Sequence, residues 1–209
     1  MTRWLAVGLI VVAGGGCAPK AVPLKGAPAP ERALPELKLA PGHRKIVFHW
    51  NYQENSLMAN GDGAIRVASP DSARVDLFLN GGILLGKATL IGNNLSAPNK
   101  AQVEKVLPPP AMMWAVLGRL AIPALPDTVI TADGDILYAD IGRPAAWRVT
   151  IKGNRLMQLA RLSGGRIAEV VTRDEAGRLL YEVPGHRKLW LGITRDDEVP
   201  AFDASIWGP

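Results

Sequence analysis

Cysteine is almost missing: the chain of 209 residues holds a single one, Cys17. That excludes a disulfide framework and a cysteine-built zinc site. Histidine is nearly as scarce. His43, His49 and His186 leave little from which to build a metal cluster or a Ser-His-Asp hydrolase. No G-x-S-x-G motif follows a strand-like run, so the nucleophile elbow of hydrolases is absent, and Ser163-Gly164-Gly165 reads as a turn. No motif calls for a cofactor. No apolar run approaches the ~20 residues that span a bilayer as a helix. A net charge of +5 comes without any nucleic-acid-binding motif, which argues against a nucleic-acid partner. The remaining composition, 48% hydrophobic and 21% charged, is that of a folded chain and excludes wholesale disorder. The length allows one domain with an appendage, or two small domains.

What is present starts at the N-terminus. Met1-Thr2-Arg3 carries one positive charge, Trp4 to Ala13 is apolar apart from Gly8, and Gly14-Gly15-Gly16 precede Cys17. A charged start, a short apolar core and small residues before a cut describe a bacterial export signal. The lone thiol sits where a lipoprotein signal peptidase would make it the new N-terminus. This resembles the lipobox of bacterial lipoproteins, with Gly14 standing where those motifs usually carry Leu. The resemblance implies a signal peptide over residues 1–16 and lipidation at Cys17, hence a membrane partner. Acyl chains on a cysteine contribute about 0.8 kcal/mol per buried methylene, so several of them hold a membrane stably. The competing reading is an ordinary secretory signal, or a short uncleaved anchor, with an incidental cysteine.

Residues 17–41 then form a Pro-rich stretch containing Pro19, Pro23, Pro28, Pro30, Pro35 and Pro41. Prolines this dense favour extended chain and prevent a continuous helix. At about 3.1 Å per residue, such a stretch reaches some ~70 Å, the length of a semi-rigid stalk. Packing on a following domain is open only near Leu37 and Leu39.

Residues 42–209 read as mainly β. Short apolar runs alternate with turn signals at spacings that point to an all-β sheet or barrel. Ile46-Phe48-Trp50-Tyr52 is a period-2 stripe, and Asn60-Gly61-Asp62-Gly63 reads as a turn or bulge before a strand at Ala64–Val67. Further strands are expected over 74–79, 83–91, 128–131, 136–141, 147–151, 156–162, 167–172, 179–183, 189–194 and 199–206. One segment breaks the pattern. Pro108-Pro109-Pro110 leads into an apolar run from Ala111 to Leu120, in which Arg119 is the only charge. Proline suits the first turn of a helix and stops one when it follows, as Pro123 and Pro126 do. A helix this apolar must be buried or must cover something apolar, and Gln102 to Val106 adds room for one more helical turn.

The order of strands and helix resembles the LolA/LolB superfamily, which includes the LppX-type mycobacterial lipoproteins. The features that carry the resemblance are Cys17, the strand pair Ile46–Tyr52 and Ala64–Val67, the Pro70-Asp71-Ser72-Ala73-Arg74 entry to the next strand, and the polar turn after Leu90-Ile91. It implies a curved antiparallel sheet forming a half-open β-barrel, with a short apolar helix as lid or plug. It further implies carriage of lipids or lipidated proteins in the cell envelope, facing the periplasm, at the outer membrane for a LolB-like member.

The residues expected to line such a cavity or its lid are Phe48, Trp50, Leu77, Leu79, Met112, Met113, Trp114 and Leu117, because methionine and large aromatics adapt to irregular apolar partners. The expected partners are acyl chains of lipids or lipoproteins. The alternative is a non-enzymatic structural or assembly lipoprotein with a filled barrel, whose surface binds envelope proteins. An enzyme is the weakest reading, since no nucleophile–base set can be assembled. Asp127, Asp133, Asp135 and Asp140 lack the further oxygens of a calcium loop and read as a polar turn. Charge is uneven: eleven Lys/Arg stand against four Asp/Glu between Arg143 and Arg195. Basic strands facing anionic headgroups gain about 1 kcal/mol per residue, although arginine equally decorates solvated strands. Phe202 and Trp207 are expected to pin the C-terminus to the barrel or to cap its cavity.

Overall fold

A computed structural model of the chain describes residues 22–208. The signal segment and Cys17 lie outside them. The described residues form one thirteen-stranded antiparallel sheet. Its strands are β1 (Ala27–Pro28), β2 (His43–Glu54), β3 (Leu57–Ala68), β4 (Ser72–Leu79), β5 (Ile83–Ile91) and β6 (Asn94–Ser96), then β7 (Thr128–Asp133), β8 (Ile136–Ile141) and β9 (Trp147–Lys152). The series ends with β10 (Arg155–Ser163), β11 (Arg166–Arg173), β12 (Leu179–Val183) and β13 (Arg187–Val199). The spatial order is β1-β7-β8-β9-β10-β11-β12-β13-β2-β3-β4-β5-β6. Two meanders, β2–β6 and β7–β13, are therefore stitched together by pairing of β2 with β13, which runs from His43↔Val199 to Glu54↔Arg187.

This order dictates where the helices go. The chain leaves β6 at one edge of the sheet and must enter β7 near the other edge, so the connection crosses the hollow of the curved sheet. It contains α1 (Lys100–Val106) and α2 (Pro110–Val116). α2 lies against β10 and β11, and α1 against β5. Met112, Met113, Trp114, Ala115 and Val116 of α2 are all buried, each large apolar side chain contributing about 1.5–3 kcal/mol on burial. That accounts for a helix with almost no polar face. Pro110 opens it, where its missing N–H costs nothing. Gly118, at φ +85°, ends it in the left-handed conformation that glycine adopts without strain.

The stripe on β2 is buried as its alternation requires: Ile46, Phe48, Trp50 and Tyr52 are all in the core. Asn60-Gly61-Asp62-Gly63 is not a turn. It lies within β3, and the β2–β3 turn falls at Asn55-Ser56. The glycines are there for close packing. A Cβ on Gly63 would stand 2.2 Å from Phe48 Cζ, and one on Gly61 1.9 Å from the Phe78 carbonyl oxygen. The final strand expected over 199–206 is also absent; β13 ends at Val199 and a 3₁₀ turn spans Ala204–Trp207. Phe202 there meets His43 edge-on and stacks in the same way with Trp207, while the Arg74 guanidinium donates to the Ile206 carbonyl at 2.7 Å.

The Pro-rich stretch differs from a free stalk over its described part. Ala27 and Pro28 pair with Ala132 and Thr131 of β7, the Leu120 amide donates to the Leu37 carbonyl at 3.0 Å, and Ala29, Leu37 and Leu39 are buried. Alternating small and apolar residues let an extended chain with few free N–H groups cover a sheet edge. The core cluster runs from Leu37 to Leu191, so the strap and both meanders share one continuous core.

Candidate ligand pocket

Four neighbouring strands build the floor of an apolar pocket. Leu191 of β13 is in register with Trp50, Trp50 with Gly61, and Gly61 with Leu79; one pleat along, Phe48 faces Gly63, which faces Leu77. Because Gly61 and Gly63 carry no side chain, the rings of β2 lie down across β3. The Trp50 indole N–H donates to the Asp62 carbonyl at 2.9 Å, which satisfies its polar edge and leaves its apolar body to the pocket. Leu107 and Pro108 form the rim, and Met113, Val116 and Leu117 come down from α2 as the roof.

Of the residues expected at such a site, Phe48, Trp50, Leu77, Met113 and Leu117 line this pocket. Met112 and Trp114 do not. Both are fully buried on another side of α2, and the Trp114 indole N–H donates to the Gly92 carbonyl at 2.6 Å, anchoring the helix to the β5–β6 turn. Leu79 packs half-buried at the edge of the core. Cys17 lies outside the described residues. The wall also includes Leu189 and Leu191. Their alternation is visible in the sequence, but their partnership with Tyr52 and Trp50 depends on β13 closing against β2.

The pocket is small, about 30 Å³. A second apolar space of about 40 Å³ lies beside it under α1, between Leu85, Gly86 and Val103, and shares Val75, Leu77 and Leu107 with the first. At about 10–15 Å³ per water-sized sphere, each holds two or three such groups. The two form a seam along the hollow face, interrupted by Leu107.

Polar contacts hold the two helices over this seam. Arg173 donates to the Val116 carbonyl at the end of α2 at 2.7 Å; burial, then the nearby Arg155 charge, lowers its pKa from the usual guanidinium value. Arg187 donates to the Lys105 carbonyl at the end of α1; the Tyr52 hydroxyl lies 3.1 Å from the same oxygen and donates to Glu54 Oε2 at 2.8 Å. Tyr181, fully buried, donates to Glu169 Oε2 at 2.8 Å and receives a hydrogen bond from Arg187 at 3.1 Å. Burial and the adjacent Glu169 carboxylate push the Tyr181 hydroxyl well above its ordinary pKa.

The excess of cations in the second half is largely matched by neighbours. Arg148 meets Asp140 and Arg161 meets Glu169, while Lys152, Arg178, Lys188 and Arg195 pair with Glu175, Asp174, Glu182 and Asp197. Asp133 and Asp135 flank Gly134 in the β7–β8 hairpin, and among the described residues no cluster of three or more metal-ligating side chains occurs. Nor, among those residues, is any helix long and apolar enough to cross a membrane.

A curved sheet whose edges are bridged by helices over an apolar hollow has a clear structural counterpart. A LolA superfamily protein from Nitrosomonas europaea superposes with a TM-score of 0.52 at 10% identity, over 83% of this chain and 93% of that one. The fold is LolA-like. A domain named for outer-membrane lipoprotein sorting, from Vibrio parahaemolyticus, follows at TM-score 0.48 and 5% identity, covering 80% of this chain and 89% of its own. Pseudomonas aeruginosa MucB, in its complex with MucA, reaches only 0.29 at 14% identity, over 79% of this chain and 56% of that one; neither of these two weaker superpositions adds to the argument. No protein-family model and no curated protein matches the sequence. The LolA-like fold thus rests on the course of the backbone, at 10% identity.

Proposed function

We propose that this protein is a lipoprotein of the cell envelope that shelters acyl chains of lipids or lipoproteins beneath its helical lid, facing the periplasm from a membrane anchor at Cys17, at the outer membrane. The observation that carries the reading is the seam between the hollow sheet face and the two short helices, walled by Phe48, Trp50, Leu77, Met113 and Leu117. The LolA-like fold supports it. The mechanism is burial and release without covalent chemistry: each sheltered methylene contributes about 0.8 kcal/mol, offset by the anchors broken when the lid moves. A pocket of about 30 Å³ admits a whole chain only when Leu107 and α2 shift outward, joining the two apolar spaces.

A bromine-labelled stearate tests this directly. Heavy-atom quenching needs contact, so Trp50 fluorescence is expected to fall on binding, and Trp50→Phe to remove the larger part of the quench. Absence of any quench in the unsubstituted protein would refute the reading. Incorporation of labelled palmitate, lost in Cys17→Ser, tests the anchor separately.

The small size of the pocket and the complete burial of Met112 and Trp114 favour a second reading, a filled barrel that acts as an assembly scaffold for envelope proteins. That reading predicts no bound lipid and no quench.

A further inference from the structure

Beside the apolar pocket lies a larger polar space of about 290 Å³, which shares Leu107 and Pro108 with it. Asn93, Asn94, Glu104 and Arg187 border this vestibule. Among the described residues Arg187 is the cation that borders it, and its guanidinium donates to uncharged oxygens. It donates to the carbonyls of Lys105 and Glu104 and to the Tyr181 hydroxyl, and it lies over the Tyr181 ring at 5.4 Å. Among the described residues none of its hydrogen-bond partners is a carboxylate. A guanidinium bonded to neutral acceptors gains by exchanging them for an anion, since charge-assisted, forked pairs are about twice as strong as neutral ones. Glu104 opposes an anion, but it is exposed on α1, where water screens it.

We propose that this vestibule binds the anionic head of a single-chain amphiphile, a carboxylate or phosphate ester, with Arg187 as the binding residue and the tail passing Leu107 into the apolar pocket. The proposal rests on the reading of that pocket as an acyl-chain site and names the chemical class of its ligand. Capture of the head takes Arg187 away from the α1 carbonyls, so arrival of the ligand loosens the rim that its tail must pass.

The test uses residues 18–209, which include the whole described fold, titrated calorimetrically with laurate and with 1-dodecanol, two ligands with one tail. Laurate is expected to bind about tenfold more tightly or better, the increment of one charge-assisted contact. Arg187→Gln should abolish the preference for laurate over dodecanol, even where the loosened rim changes the affinity of both, while Arg187→Lys keeps part of the preference. Unfolding curves confirm that each variant is folded. Equal affinities in the unsubstituted protein would overturn the proposal, as would an equal loss of both ligands in folded Arg187→Gln. Inorganic phosphate binding as tightly as laurate would make the vestibule a free-anion site, and overturns the amphiphile. Failure of both tailed ligands to bind removes the acyl-chain reading itself, and this inference with it.

Discussion

At Gly63 the sheet has no room for a methyl group, because Phe48 Cζ occupies the place at 2.2 Å. The contact is with a buried ring that has nowhere to retreat except into the pocket. Gly63→Ala is therefore expected to lower stability by about 1–3 kcal/mol, the usual cost of overpacking, and to fill the pocket by displacing Phe48. Urea unfolding measures the first effect, and an unchanged midpoint would contradict it. Tyr181 gives the pH dependence. Its hydroxyl has a folded-state pKa raised above the unfolded one by burial and by Glu169, so the folded state holds the proton more tightly. The associated stability is complete below the ordinary tyrosine value, about pH 10, and is lost as pH rises beyond it. Tyr181→Phe should flatten that alkaline decline in unfolding curves taken on either side of pH ~10. At neutral pH it should cost about 1–3 kcal/mol, because buried Glu169 loses a donor.

Among the elements, the Pro-rich strap separates two pictures with one substitution. Leu37 is buried and its carbonyl receives the Leu120 amide just beyond α2. Leu37→Ala is expected to destabilise by about 2–3 kcal/mol, as buried leucines do; a free stalk predicts no change in the unfolding midpoint. Local patterns along the chain specify part of these elements. The β2 stripe, the hairpin rhythm and the Pro-opened apolar helix were legible because alternation, turn residues and proline act locally. Gly61 and Gly63 misled because glycine marks a turn and a close approach with the same letter, and only the partner strand distinguishes them. Met112 and Trp114 were read as lid contacts on the grounds that they are apolar and helical. Which side of a short helix faces a pocket depends on the register of β10 and β11 beneath it, and that is not local. Arg173 and Arg187 were invisible as anchors for the same reason: their acceptors are carbonyls some 57 and 82 residues away.

For the whole molecule, topology explains most of the design. With β2 in the middle of the sheet, β6 at one edge and β7 near the other are joined by one connection, which carries the two helices across the hollow face. The lid is then held at its helix ends by two arginines and over its body by apolar contact. α1 and α2 contribute no strand, so the hydrogen-bonded ladder of the sheet does not run through them. Native mass spectrometry of residues 18–209, purified from a bacterial periplasm without detergent, tests the central claim most directly. Leu117→Asp is the matched variant, because Leu117 lines the pocket yet is only partly buried, so the charge spoils the cavity and spares the core. The account predicts adducts with the mass of acyl lipids on the unsubstituted protein and their disappearance in the folded variant. A clean apo mass, or adducts that persist in Leu117→Asp, would contradict it.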